Sequence, residues 1–319
     1  MSFSLLETDW EDAPRLAPPG TTLFAVGDIH GHAAHLDALL AALAGPVREA
    51  KGRGDVVHLV FVGDYVDRGP SSVGTLDRLP GIAARLGGVE VHLLRGNHDR
   101  LLADLLTAAE PDPELLARWL RKGGGGVVRE LGLEAPAAGR RLSCPSTLVA
   151  ALRERLGPTR LSVLGGLADS WRCGDWLFVH AGVDPVRSLD AQDRAAWLTV
   201  REPFLSGAKW AHDFAVVHGH TVRGPEVLPH RVAVDSGAYR TGVLTAAEIT
   251  GDRLRFRSVA DRRNLASFRA LPGPRRQQGR RFVTTALRAA RSRRGGPATD
   301  GGRTLTAVLR RPAGAFTAG

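Results

Sequence analysis

The chain has 319 residues, 43% hydrophobic content, two cysteines and a formal net charge of +10. That is enough apolar material for one large core or two modest ones, but no apolar stretch approaches the ~20 residues a membrane-spanning helix needs. Cys144 and Cys173 are too few for a disulfide framework or a cysteine-based zinc site. The positive charge is local: residues 262–319 hold 14 Arg, no Lys and one acid, Asp300, whereas residues 1–261 hold 29 basic and 32 acidic residues. The body is therefore mildly acidic, which excludes a basic nucleic-acid-binding domain over most of the chain.

The opening MSFSLLETDWEDAP lacks the basic start and apolar stretch of a signal peptide. Residues 1–20 read as an extension, and the two thiols are expected to stay reduced in a cytoplasmic protein. Three apolar runs then end in polar, glycine-rich turns. TLFAVGDIHG (22–31) precedes an amphipathic helix over roughly 35–44. VVHLVFVGDYVDRG (56–69) precedes a second over 71–86, and VEVHLLRGNHDR (89–100) a third over 101–109. Continuous apolar runs read as strands covered on both faces, and strand–turn–helix repeated three times predicts an α/β layout. Ligands in such sheets sit beyond the carboxyl ends of the strands, where all three polar clusters fall.

The middle reads as helices over 113–122 and 146–156, with Gly123–Gly126 as a flexible helix exit and not a phosphate loop, since no Gly-Lys-Ser/Thr follows. WLFVHAGV (176–183) and FAVVHGHT (214–221) return to strand character and end in His180 and in His218 and His220. Residues 231–249 and 253–259 alternate like a closing antiparallel sheet. Past Arg262 the apolar periodicity fades, so 262–319 reads as a largely disordered Arg-rich tail with one short basic helix near 282–294.

Five strand ends thus deliver Asp28 and His30; Asp64, Asp67 and Arg68; Asn97 and His98; His180; and His220. Mixed oxygen and imidazole donors suit Mn, Fe or Zn better than Ca or Mg, and there are more donors than one ion needs. GDIHG (27–31), GDYVDRG (63–69), GNHD (96–99), HAG (180–182) and GHT (219–221) together resemble the motif set of calcineurin-like metallophosphoesterases. The similarity is greatest to the bacterial and lambda-phage-type branch of the phosphoprotein phosphatase family, and it spans roughly residues 20–260.

The resemblance implies two packed β-sheets flanked by helices, an α/β (α+β four-layer) sandwich with a dinuclear metal site at the strand ends and residues 21–261 as the catalytic domain. It implies two divalent ions, Mn first and Fe or Zn as alternatives. Asp28 and His30 would hold one ion, Asn97, His180 and His220 the other, with Asp64 bridging. Asp67 would orient His98 and raise its pKa, His98 would protonate the leaving group, and Arg68 and Arg201 would grip the phosphoryl oxygens. The implied reaction is attack of metal-bound hydroxide on a phosphomonoester.

The Trp-helix–Gly-Gly element at 119–132 favours a serine/threonine protein phosphatase acting on a phosphoprotein or phosphopeptide. The alternative is a symmetrical bis(5'-nucleosyl)-tetraphosphatase. A reading of a different class is a non-catalytic adaptor that binds nucleic acid or an acidic surface through the tail.

Overall fold

The structure is a computed structural model and describes residues 2–135, 145–261, 283–288 and 306–308. Along the chain, β1 (Ser2–Glu7) and β2 (Glu11–Asp12) precede β3 (Thr21–Val26), α1 (Ala33–Gly52), β4 (Val56–Phe61), α2 (Ser72–Arg78), α3 (Ile82–Arg85), β5 (Glu90–Leu93) and α4 (Asn97–Thr107). A helical stretch follows, with α5 (Pro113–Trp119), α6 (Gly125–Glu130) and α7 (Pro145–Gly165). Next come β6 (Ser170–Cys173), β7 (Trp176–Val179), β8 (Ala215–His218), β9 (Glu226–Leu228), β10 (Arg231–Ala233) and α8 (Ala238–Thr241). β11 (Val243–Thr250), β12 (Arg253–Asp261), β13 (Val283–Arg288) and β14 (Thr306–Val308) complete the series.

The strands make two sheets. One runs β14-β13-β1-β12-β11-β3-β4-β5, with β2 beside β12; the other runs β6-β7-β8-β10-β9. Period-2 alternation sorts each strand's side chains between two faces. Leu23, Ala25, Val60 and Val62 of the first sheet meet Trp176, Phe178, Ala215 and Val217 of the second in one buried cluster. Phe24, Val26, Leu59 and Phe61 point the other way, into a core shared with the helices. The outer face of the second sheet is covered by Trp197, Phe204 and Leu205. This is the two-sheet sandwich flanked by helices that the motifs imply.

β3, β4 and β5 are parallel neighbours, as are β7 and β8. Parallel pairing turns the carboxyl ends within each sheet the same way, and the approach of His180 to Asp64 and of His220 to Asp28 brings the two sets to one rim.

Several elements depart from the sequence expectation. Residues 1–20 read as an extension, yet β1 pairs antiparallel with β12 and buries Phe3, Leu5 and Leu6. α1 runs to Gly52, well past residue 44, with Pro46, Val47 and Ala50 buried. Burial of that face offsets the hydrogen bond a proline withholds. The run 231–249 is not one strand: β10 belongs to the second sheet beside β8, α8 turns the chain, and only β11 pairs with β12. Residues 283–288 form a strand antiparallel to β1 where a basic helix was expected; Val283, Thr284 and Thr285 are β-branched. Apart from 283–288 and 306–308, the Arg-rich tail, and Cys144, lie outside the described residues. No helix among the described residues is long and apolar enough to cross a membrane.

Candidate active site

The polar turns are held by unusual backbone. Among the described residues, six non-glycine residues have positive φ, and five of them are His30, Asp64, Asp67, Arg68 and His220. Left-handed backbone costs an L-residue ~1–2 kcal/mol, and such strain collects where a site needs it. Here it bends each chain sharply off its strand so that the side chain points across the rim. The amides of Ile29 and His30 both donate to the Asp64 carbonyl, and that of Gly31 donates to Tyr65 O, which ties the first turn to the second. Gly63 and Gly96 let the second and third turns touch: a Cβ on Gly96 would collide with the Asp64 carboxylate.

Four buried carboxylates share the centre: Asp28, Asp64, Asp99 and Asp235. Burial and Asp235 push Asp28 well above the usual carboxylate range. Burial and Asp64 raise Asp99 to about 7, and burial raises Asp235 to about 6. Burial also works against an ionised Asp64, but His180 and His30 reverse this and hold it well below the ordinary value. Desolvation opposes the charge on His180, yet Asp64 and Asp28 lift it to about 10. Buried carboxylates at this density are costly unless cations neutralise them.

The imidazoles are set as ligands. Nδ1 of His30 lies 2.9 Å from Val66 O and Nδ1 of His180 lies 2.9 Å from Val62 O. Each ring therefore aims Nε2 inward, at 3.3 Å and 3.5 Å from Oδ2 of Asp64. A backbone carbonyl on the outer nitrogen is the usual support of a metal-binding histidine. Asn97 Oδ1 is 3.1 Å from His180 Nε2, and Nε2 of His220 is buried without a hydrogen-bond partner among the described residues. The Asp28 carboxylate accepts the His220 amide at 3.1 Å. Two compact donor groups result, His30–Asp64–His98 and Asp64–His180–His220, with Asp64 in both. The residues present fit a pair of divalent ions around Asp64.

Beside this centre, Nδ1 of His98 lies 2.7 Å from Oδ2 of Asp67, with both side chains buried. Arg68 donates to His30 Nε2 at 3.1 Å and to His98 Nε2 at 2.9 Å, and its guanidinium rests 4.4 Å from the Tyr239 ring centre. The expectation that Asp67 raises the His98 pKa is corrected here. Burial pushes His98 down to about 4, and the Arg68 and Lys122 cations add to that. The ring is held as the neutral tautomer with its Nδ1 proton on Asp67.

Arg201 stands apart. Its side chain is exposed, its charge reaches His220 and Lys122, and among the described residues it makes no side-chain hydrogen bond to the centre. His218 is buried, with Nδ1 on Gly219 O and Nε2 facing Arg231.

Some site residues are given no role by the motifs. Asp99, the last letter of GNHD, takes backbone amides from Asp64, Tyr65 and Gly96. Trp119 donates its indole N–H to Oδ1 of Asp67 at 3.0 Å. The glycines after it are packed rather than flexible. Gly123 has φ 118°, and a Cβ there would stand 2.9 Å from the Arg68 amide nitrogen. Gly124 lies against the Trp119 indole. The Trp–Gly element is thus a brace on the Asp67–Arg68 turn.

The sequence profile described as calcineurin-like phosphoesterase matches residues 21–241. The chain belongs to that family. Among relatives of this phosphoesterase, a symmetrical bis(5'-nucleosyl)-tetraphosphatase of Janthinobacterium sp. (strain Marseille) is 28% identical over 264 residues, covering 72% of this chain and 93% of the relative. The enzyme of the same description from Methylococcus capsulatus is 39% identical over 110 residues, covering 31% of this chain and 36% of the relative, so that alignment spans about a third of its length. A crystal structure of a candidate diadenosine tetraphosphatase, 24% identical, covers 76% of this chain and 96% of its own with a TM-score of 0.50, and supports the fold.

Proposed function

We propose that this phosphoesterase hydrolyses dinucleoside tetraphosphates symmetrically, giving two nucleoside diphosphates. The observation that carries this reading is the alignment over nearly the whole length of the Janthinobacterium tetraphosphatase. It favours the alternative of the sequence reading over the phosphoprotein substrate. The rim of the site supports it too. Arg118, Lys122 and Arg201 are exposed cations, and Arg118, Arg68 and Arg201 all act on the Lys122 charge; a polyphosphate chain presents several negative charges to such a rim.

Asp28, His30, Asp64, Asn97, His180 and His220 would hold two divalent ions. When bound, the ions supply Lewis acidity toward phosphoryl oxygen and ease ionisation of water at neutral pH. The protein's own groups do the rest. Arg68, braced by Gly123 and stacked on Tyr239, offers a planar guanidinium to the phosphoryl oxygens as charge develops. His98, fixed by Asp67, faces the departing oxygen with Nε2, and would donate there as the imidazolium once it has taken up a proton.

The test is a side-by-side assay of diadenosine tetraphosphate and a phosphoserine peptide on manganese-loaded protein, with a chelator control. The expected result is kcat/KM at least ~100-fold higher for the nucleotide, with ADP as the only nucleotide product. ATP plus AMP, or a preference for the peptide, overturns the proposal.

A further inference from the structure

A second set of metal-capable side chains lies on β4 and β5, outside the two donor groups around Asp64. His58 is the third residue of β4, on the face that turns toward the second sheet with Val60 and Val62. It sits six residues before Asp64 and belongs to neither donor group around that carboxylate. On the neighbouring edge strand, Glu90 is the register partner of His58, and His92 is the partner of Val60. Adjacent parallel strands therefore put His58, Glu90 and His92 on one face, side by side.

The distances are those of a coordination shell. Nδ1 of His58 is 3.1 Å from Nε2 of His92 and 3.2 Å from Oε2 of Glu90. One donor atom from each of the three residues lies within 4.8 Å of the others. A tetrahedral ion with bonds of about 2.0–2.1 Å separates its donors by roughly 3.3 Å. Both rings are fixed by Trp171, which stacks on His92 at 3.9 Å and packs on His58 at 4.9 Å. Burial also lowers the pKa of both imidazoles, His92 to about 4, which leaves them in the neutral form that binds metal. A cavity of about 320 Å³ lined by His92, Ser170 and Trp171 opens alongside and leaves room for a fourth ligand. Glu90 is 60% exposed, so the site is open to solvent on that side.

We propose that His58, Glu90 and His92 form a separate binding site for a zinc-class divalent cation, which ties the edge strand β5 to β4. Two imidazoles and a carboxylate with an open position match the donor preferences of zinc among biological divalent ions. The site is independent of the tetraphosphatase reading. β5 ends at Leu93, four residues before α4 begins at Asn97.

The test counts metal. Full-length wild-type, His92→Phe, His58→Phe and Glu90→Gln proteins are dialysed to equilibrium against micromolar zinc, and bound metal is measured by mass spectrometry. Wild type is expected to hold one zinc ion more than either phenylalanine variant, and Glu90→Gln to hold that ion more weakly. Zinc should also raise the wild-type Tm by more than that of the variants. Turnover of an aryl phosphate should be unchanged in all three. Glu90→Gln changes an exposed side chain isosterically, so it keeps the test decisive if a ring substitution fails to fold. Equal zinc stoichiometry and affinity in wild type, Glu90→Gln and a folded phenylalanine variant overturns the proposal.

Discussion

The indole nitrogen of Trp119 lies 3.0 Å from Oδ1 of Asp67, while Oδ2 of the same carboxylate faces His98 at 2.7 Å. One buried carboxylate thus joins the helical middle of the chain to the ring expected to handle the leaving group. Trp119→Phe keeps most of the packing volume but removes the donor. Burial raises the Asp67 pKa well above the ordinary carboxylate value, and leaving one of its oxygens without a donor costs about 1–3 kcal/mol, so kcat should fall by roughly 5- to 150-fold with KM little changed. Steady-state kinetics on folded variant protein checks this. A kcat equal to wild type would show that Asp67 needs no second anchor.

Asp64 belongs to both donor groups, and its Oδ1 also accepts the His98 amide at 2.9 Å. Asp64→Asn keeps the side chain's shape and removes its charge, so both catalytic ions should be lost together. Metal analysis after desalting measures the outcome. Retention of both catalytic ions would refute the bridge. Loss of a single ion would place Asp64 on one metal only.

His98 is expected to matter according to the leaving group. A departing nucleoside diphosphate is a phosphate oxygen with a pKa near ~6, whereas a departing serine is a far more basic alkoxide that depends on a proton donor. His98→Ala should therefore lower kcat on a tetraphosphate less than on an alkyl phosphate. Catalysis by a general acid contributes ~10²–10⁴-fold, and the larger figure belongs with the alkyl ester. Equal losses on the two substrates would mean that His98 acts by position and not by proton transfer.

How much of this was legible depends on the range of the cause. Asp28, Asp64, Asn97 and His180 follow directly from apolar runs that end in polar turns, because strand periodicity and turn chemistry are local. Parallel pairing then brings the ends within each sheet together without further information. The Trp119–Asp67 contact spans 52 residues, and nothing near either residue announces it. Gly123 is similar: its sequence says flexible, and only the nearby Arg68 backbone makes it a packed surface. The place of β1 in the large sheet was hidden because its partner β12 lies some 250 residues away. The His98 pKa was misjudged because sequence shows a carboxylate neighbour but not the depth of burial. His58 and His92 carry no signal of their own, since each is a single histidine in a strand, and register alone reveals the pair.

Lys122 follows Trp119 and precedes the glycine brace. Burial lowers its pKa, and the Arg118 and Arg68 cations lower it further, which places it in the field of the site. Its side chain is exposed, so Lys122→Ala should not disturb folding. On a tetraphosphate the variant should show KM raised ~10-fold, as expected for the loss of a single charge contact of about 1.4 kcal/mol. On a small aryl phosphate, which does not reach the rim, KM should stay near wild type. Equal effects on both substrates would place Lys122 at the reacting phosphate itself.

His35 sets an acid limit on stability away from the catalytic ligands. Its Nε2 donates to Gly242 O at 3.1 Å, and its ring meets Phe3 edge-on at 4.8 Å. Burial, with a smaller push from His32, takes its pKa down to about 4, against ~6.5 in an unfolded chain. The folded pKa is the lower one, so the unfolded state takes up the proton first as pH falls. The contribution of His35 is complete above about pH 7.5 and is lost between about 6.5 and 4. From pH 7.5 to pH 5 the loss is about 2 kcal/mol. His35→Gln keeps an amide donor for Gly242 and removes the titration. Urea melts at the two pH values should show wild type losing more stability than the variant by that amount. Parallel losses in the two proteins would mean that His35 is protonated inside the fold without penalty, and that the burial on its Phe3 face does not govern its charge.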